Sequence, residues 1–260
     1  MDKPMRIYRC ENTVNGILSA VYDAGVSGYG HRYIRIQPVV EGRAENLELF
    51  SDYREVRTDP QKAENVMKTV REQISYQAYQ YMMYAVVSCD PDRGDALYQF
   101  VTYGFSMGCK VCSALQIPCV RRVFEIKRSV ANEVHFYREF LRFQEIQQKP
   151  SLLYAVIEPG NQILPMLTEH FADRFMNEWF VIYDQSHGEA SFHYADGTWA
   201  VHSLSLEQEQ RFRILREQRE DYVDLWKTFF HHIAVAERTN PSLQRNMLPL
   251  HYRNHMTEFQ

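Results

Sequence analysis

The sequence predicts an α+β protein: a mostly helical N-terminal half, then an antiparallel sheet of about five strands with closing C-terminal helices. Three observations carry that prediction. Apolar residues recur at helical spacing through most of the chain from Val14 to Glu139. Beyond Phe140 the pattern changes to short apolar, β-branched runs separated by turn residues. A charged run, EQEQRFRILREQRE, then restores the helical period.

Taken in order, MRIYRC reads as a short strand, after which Asn12 caps a helix marked by Val14, Ile17, Leu18, Val21 and Tyr22. Gly25 should stop that helix, leaving GVSGYG as a glycine-rich loop. RYIRIQPVV alternates like a strand, and YREVR is a second extended piece. Thr58-Asp59-Pro60 supplies a capping side chain and a proline at the first helical turn. The helix it opens runs through Ala63, Val66, Met67, Val70 and Ile74, and Ser75 caps the next. Asp90-Pro91 opens a third that ends near Gly104 or Gly108, and a long helix follows from Pro118 to about Glu139.

FLRFQEIQ and LLYAVIEP read as a hairpin about a Gln-Lys-Pro-Ser turn. A helix, ILPMLTEHFADRFM, precedes three more strands, WFVIYD, EASFHYA and TWAVHSL, the last two joined at Asp196-Gly197. Leu225, Trp226, Phe229, Phe230 and Ile233 mark a final helix broken at Asn240-Pro241. The chain divides into residues 1–118, strand plus helices, and 119–260, helix, sheet and closing helices, which form two domains or one continuous one.

The 260 residues carry 29 Lys+Arg against 33 Asp+Glu with 45% hydrophobic content, a globular composition that excludes a disordered chain, a collagen-like rod and a disulfide scaffold. The net charge of −4 gives no global attraction to polyanions. A nucleic-acid surface would have to be local. Residues 119–149 hold seven Lys+Arg against four Asp+Glu, and residues 150–206 hold one against seven, so the first stretch is where it is expected.

The longest apolar run, YMMYAVVSC, has nine residues, against the roughly 20 that cross a bilayer, so no membrane association is expected. MDKPMRIYRC lacks the layout of a signal peptide, and the five cysteines are expected as thiols in a reducing cytoplasm.

Several side-chain groups bear on chemistry. Cys109-x-x-Cys112 with Cys119 is the most metal-like spacing, but a structural zinc site needs four ligands and none follows nearby. Buried thiols are the alternative, and no cofactor is expected. His187, His193 and His202 could converge on the sheet, and His251 and His255 are one helical turn apart, yet neither set has the HExxH arrangement. No nucleophile elbow and no phosphate-binding Gly-Lys-Ser/Thr loop is present. In ANEVHFYREFLRF, Glu133 and His135 are followed by Arg138 and Arg142 among the aromatics Phe136, Tyr137, Phe140 and Phe143. Guanidinium groups bind phosphate and rings stack on bases, while the same composition also makes a helix-to-strand corner with a core of rings. In HFADRF, His170 and Arg174 stand one turn apart, with Asp173 and Asp184 as nearby carboxylates.

ANEVHFYREFLRF, LLYAVIEPGNQILP, HFADRF, WFVIYD and LWKTFFHHIAVAERTNPSLQRNMLPLHY, in that order, resemble the bacterial family called domain of unknown function 4130, and the upstream part resembles longer members described as probable DNA metabolism proteins. The resemblance covers roughly the last two thirds of the chain. It implies a role in DNA repair or modification beside a radical S-adenosylmethionine protein, and in some bacteria a similar domain is fused to a uracil-DNA-glycosylase-family domain. Its recurrent positions include Glu133, His135, Arg142, Phe143, His170, Arg174, Trp179, Asp184, Trp226 and Tyr252. Phe136, where an Arg is common, and Arg253, where a Trp is common, depart from the pattern.

Three functions are therefore expected in competition. The first is an accessory protein that binds DNA or a damaged base through Arg138, Arg142, Phe143, Arg174 and Trp179 and assists a separate radical enzyme. The second is a nuclease or glycosylase-like hydrolase using Glu133, His135, His170 and Asp184. The third is an interaction module that docks on the radical enzyme through Trp226 and Tyr252 without touching DNA.

Overall fold

The computed structural model describes residues 3–40, 48–146, 151–216 and 248–256. The chain forms two compact units, Met1–Ala131 and Asn132–Gln260. The final helix expected around Leu225 and Trp226 lies outside the described residues.

The first unit contains a three-stranded parallel sheet, an arrangement absent from the sequence prediction, which named the strands without pairing them. Strands β1 (Arg6–Glu11), β2 (Ile34–Val39) and β3 (Asp52–Glu55) lie in the order β2-β1-β3. Helix α1 (Val14–Val26) is the crossover between β1 and β2, and it buries Ile17, Leu18, Val21 and Ala24. Its cap is Thr13, whose side chain accepts from the Gly16 amide at 3.0 Å. Asn12 is diverted because its side-chain oxygen takes a hydrogen bond from the buried Arg93 guanidinium. The helix also runs past Gly25 to Val26 before Ser27 closes it on the Ala24 carbonyl.

Helix α2 (Pro60–Thr69) starts as predicted, with Asp59 accepting from the Gln61 amide and Pro60 in the first turn. A π-helical turn, Val70–Ile74, separates it from α3 (Tyr76–Val86), capped by Ser75. Helix α4 (Arg93–Met107) ends at Gly108, whose φ of 59° suits glycine. Gly94 is required for a different reason: a Cβ there would stand 2.5 Å from the Ile36 carbonyl oxygen, so only glycine lets α4 approach β2 this closely. The next residue uses that proximity. The Asp95 carboxylate accepts from the Ile36 amide of this edge strand at 2.6 Å, satisfying a donor that no neighbouring strand reaches.

In the second unit, β4 (Gln144–Ile146), β5 (Leu152–Ile157), β6 (Trp179–Asp184), β7 (Glu189–His193) and β8 (Trp199–Ser203) form one sheet in sequence order. The five strands match the prediction, but the sheet is mixed and not antiparallel: β5 and β6 run parallel, with Leu152 opposite Trp179 and Ile157 opposite Asp184. Helix α6 (Leu164–Arg174) lies between them in the chain. A crossover helix returns the chain to the end where it started, so the two strands it joins must be parallel.

Both faces of the central strands are covered, which explains their near-continuous burial. Tyr154, Val156, Val181, Tyr183 and Ala190 make one core face, over which Phe212 of α7 (Leu206–Arg216) stacks at 5.9 Å from Tyr154 and 5.4 Å from Tyr183. On the opposite face Ala155, Ile157, Phe180 and Ile182 are buried, as are Leu164, Leu167 and Phe171 of α6.

Candidate functional site

The polar residues singled out from the sequence fall into two groups in the second unit, one toward each end of β6. Five residues separate Trp179 from Asp184, which at strand rise is about 17 Å. One group is a carboxylate corner at the C-terminal ends of the parallel strands. The other is a basic, aromatic face toward their N-terminal ends.

The carboxylate corner begins with α5 (Pro118–Phe140), on which Glu133 and Tyr137 are one turn apart and share a face. Glu133 accepts from the Gly160 amide at 2.7 Å and from the Asn161 side-chain amide at 2.6 Å, so both its oxygens hold the loop that follows β5. Tyr137 is buried, and its hydroxyl accepts from the Glu158 amide at 3.2 Å. Burial raises the Tyr137 pKa, and the Glu133 and Asp184 carboxylates and Tyr252 raise it further. Its hydroxyl therefore stays protonated at neutral pH.

Asp184 closes β6. Its side chain is 1% exposed and accepts three hydrogen bonds: from the Ser186 amide at 3.0 Å, the His187 amide at 3.1 Å and His187 Nδ1 at 2.8 Å. That is an Asx turn with an imidazole added to it. Glu189 stands opposite Asp184 in the β6–β7 register, and burial followed by repulsion from Asp184 raises its pKa.

Tyr252, in the turn Leu250–His255, packs 5.0 Å from both Phe136 and Tyr137 and is 7% exposed. Its ring is thus packed inside the second unit. Trp226, the other expected docking residue, lies outside the described residues.

At the basic face, Arg138 reaches the Met166 carbonyl of α6 with one guanidinium nitrogen at 3.3 Å, and Arg174 lies over the Phe175 ring at 5.8 Å. Both side chains are exposed, and neither has an ion pair among the described residues. His170 stands between them in effect: burial lowers its pKa, and Arg138 and Arg174 lower it further against a weaker opposite pull from Asp173. The imidazole is neutral at pH 7. Arg142 folds back on the Glu139 and Leu141 carbonyls at 3.3 and 3.4 Å, neutralising the C-terminal end of α5.

Phe143 is half-buried, with the rings of Phe171, Phe175 and Phe180 at 5.1, 5.3 and 5.7 Å in edge-to-face arrangement, so it packs as part of an aromatic cluster. Trp179 is 37% exposed and meets Tyr194 edge-on at 5.2 Å.

The four residues expected to form a hydrolase site are not gathered. Glu133 holds the Gly160 loop, His135 is exposed beside Glu139 at 3.2 Å, His170 packs edge-on against Phe171 at 5.0 Å, and Asp184 holds His187. No two of them share a hydrogen bond or ion pair among the described residues. His187, His193 and His202 do not converge either: His187 is in the loop after β6, and His193 is buried against Phe180 at 4.5 Å. The exposed His202 pairs with Ala190, on the opposite face of the sheet from His193.

The thiols give no metal centre among the described residues, where no group of three or more His, Cys, Asp or Glu could hold an ion. Cys109 is exposed, while Cys112 and Cys119 are buried and burial raises their pKa values, disfavouring the thiolate a metal requires. No described helix is long and apolar enough to cross a membrane.

Sequence reasoning did not connect Asn161 or His187 to the corner. The signal for His187 was present, because an Asp at a strand end with Ser and His two and three residues later is the pattern of a side chain capping its own turn. Asn161 gave no such signal, since its partner Glu133 is distant in the chain.

A comparison with known families matches residues 91–258 to the one described as Domain of unknown function (DUF4130). No curated protein matches the chain.

Proposed function

We propose that this chain, which belongs to the domain of unknown function 4130 family, is an accessory DNA-metabolism protein that binds DNA through the surface bearing Arg138 and Arg174. The observation that carries the proposal is the pair of exposed guanidinium groups without carboxylate partners among the described residues. Arg32, Arg57, Arg71, Arg121 and Arg128 are also exposed without an ion pair among the described residues, so what sets this pair apart is that both guanidinium groups act on the one imidazole of His170. Two left unpaired beside a neutral imidazole make a local positive field, and a guanidinium presents the fork of donors that fits phosphate oxygens. Trp179 is partly exposed at the start of β6, but it alternates with Val181 and Tyr183 on the face of the sheet opposite α6, so the arginine pair carries the surface without it. In this reading Arg142 assists from the end of α5, and a separate radical S-adenosylmethionine enzyme carries the chemistry.

The hydrolase alternative lacks a gathered acid, base and nucleophile, since the four residues it requires are dispersed over two ends of the sheet. Nothing at the carboxylate corner favours it: Glu133 and Asp184 have their oxygens engaged in holding loops.

The test is fluorescence anisotropy of labelled single-stranded and duplex DNA with the wild-type protein and with Arg138→Ala/Arg174→Ala. The double variant is expected to bind at least tenfold more weakly, since each charged contact is worth about 1.5–3 kcal/mol, while its circular dichroism spectrum is unchanged. Equal affinity with a retained spectrum would remove this face from the proposal. Retained co-purification with a radical enzyme after nuclease treatment, with no DNA binding at all, would favour the pure interaction module.

A further inference from the structure

The first unit contains a cavity of about 310 Å³ between α1, α2 and α4. That is roughly twice the size of an engineered cavity known to hold benzene, and at the lower end of the range for small-molecule sites. Val21, Val66, Val70, Tyr98 and Val101 form a buried floor, each no more than 8% exposed, whereas Val26 and Phe105 at the rim are 68% and 53% exposed. Large apolar side chains left in water beside an unfilled apolar floor are an arrangement that burial of a ligand would stabilise.

The polar groups decide which ligand. No Asp, Glu, Lys or Arg lines the cavity among the described residues, so a charged ligand would be desolvated without a partner. Thr69 and Thr102 donate their hydroxyl protons to the Asn65 and Tyr98 carbonyls of their own helices, at 2.6 and 2.9 Å, so they have no proton to offer. The Tyr98 hydroxyl lies 2.8 Å from His31 Nδ1 and 3.4 Å from the Ala24 carbonyl. The hydroxyl donates to the carbonyl and occupies Nδ1, which leaves Nε2 as the ring nitrogen open to a ligand, donor in one tautomer and acceptor in the other. Burial pushes the Tyr98 hydroxyl up to about 12, which keeps it a donor throughout the neutral range.

We propose that this cavity is a binding site for a neutral, largely apolar small molecule carrying one hydrogen-bonding group that His31 Nε2 reads at the mouth. The inference is independent of DNA binding, which is assigned to residues of the other unit, so either can fail alone.

The experiment is ligand-observed NMR titration of the full chain with three probes of similar size: 1-phenylethanol, which is neutral with a hydroxyl that donates or accepts; ethylbenzene, neutral without one; and benzoate, charged. 1-Phenylethanol is expected to bind saturably, and benzoate at least tenfold more weakly or not at all. His31→Ala should weaken 1-phenylethanol about tenfold, the worth of one hydrogen bond, and leave ethylbenzene unchanged, which a general loss of structure would not do. Thr102→Phe, which fills the cavity, should abolish both neutral probes. The proposal is overturned by the absence of saturable binding for both neutral probes, by benzoate binding as well as 1-phenylethanol, or by His31→Ala affecting 1-phenylethanol and ethylbenzene equally.

Discussion

Removing the Asp184 carboxylate tests whether the corner at the end of β6 is a structural clasp. Its side chain is 1% exposed and accepts two backbone amides and one imidazole nitrogen. Asp184→Ala leaves those donors without their acceptor, at about 1–3 kcal/mol for each that water cannot reach. Ser186 is exposed, so its amide is rehydrated, while His187 is half-buried and contributes both of its donors. The expected loss is therefore about 2–6 kcal/mol, read as a lower urea midpoint with an unchanged slope. Asp184→Asn keeps an oxygen for the two amides and should cost only about 1 kcal/mol. The reasoning is refuted if the alanine variant loses less than about 0.5 kcal/mol, or if alanine and asparagine are equally destabilising.

Four further outcomes follow from the same geometry. Asp95 has a carboxyl pKa pushed up to about 6, chiefly by burial, so the folded state holds its proton more tightly than the unfolded one. Its contribution is fully present below about pH 4 and is lost as the pH rises through 6; the loss is about 1–2 kcal/mol after discounting for a side chain that is 34% exposed. Asp95→Asn, which keeps an acceptor for the Ile36 amide, should flatten the stability profile between those limits; a wild-type profile already flat there would count against it. Glu133→Gln places an amide donor against one of two donors and should cost about 1–2 kcal/mol in urea unfolding. Phe143→Ala should cost about 3 kcal/mol of stability with little change in DNA affinity, the reverse of what a base-stacking ring would show. Because His170 has a lowered pKa and lies near Arg138 and Arg174, DNA affinity should rise as the pH is taken from about 7.5 to about 5.5, and His170→Gln should remove that rise in anisotropy titrations.

Much of the fold was legible because local signals fixed it. Asp59-Pro60, Ser75 and Gly108 mark helix ends through hydrogen bonds or backbone angles set within a few residues, and the period change after Phe140 separates helix from sheet. Strand direction was legible in principle: ILPMLTEHFADRFM lies between two strands that turn out to be neighbours, and such a helix makes them parallel. Pairing of β1 with both β2 and β3 was not legible, because short strands of similar composition do not specify their neighbours.

The site was legible only in part. Arg138, His170 and Arg174 come together because α5 and α6 are both amphipathic and each exposes its charged stripe. Phe143 and Tyr252 look the same in sequence whether they face water or the core, and packing buries Tyr252 and draws the half-buried Phe143 into a cluster of rings. Glu133 and Asp184 looked catalytic because carboxylates near histidines have that composition, yet their partners are loop amides whose positions only the folded chain reveals.

The most direct test of the DNA-binding assignment is the salt dependence of duplex binding, measured by anisotropy for the wild-type protein and for Arg138→Ala/Arg174→Ala. If the two guanidinium groups each contact a phosphate, the slope of log affinity against log salt should fall in magnitude by about 2 in the double variant, since each contact contributes about 0.9. An unchanged slope, or wild-type protein that does not bind DNA at low salt, would contradict the assignment.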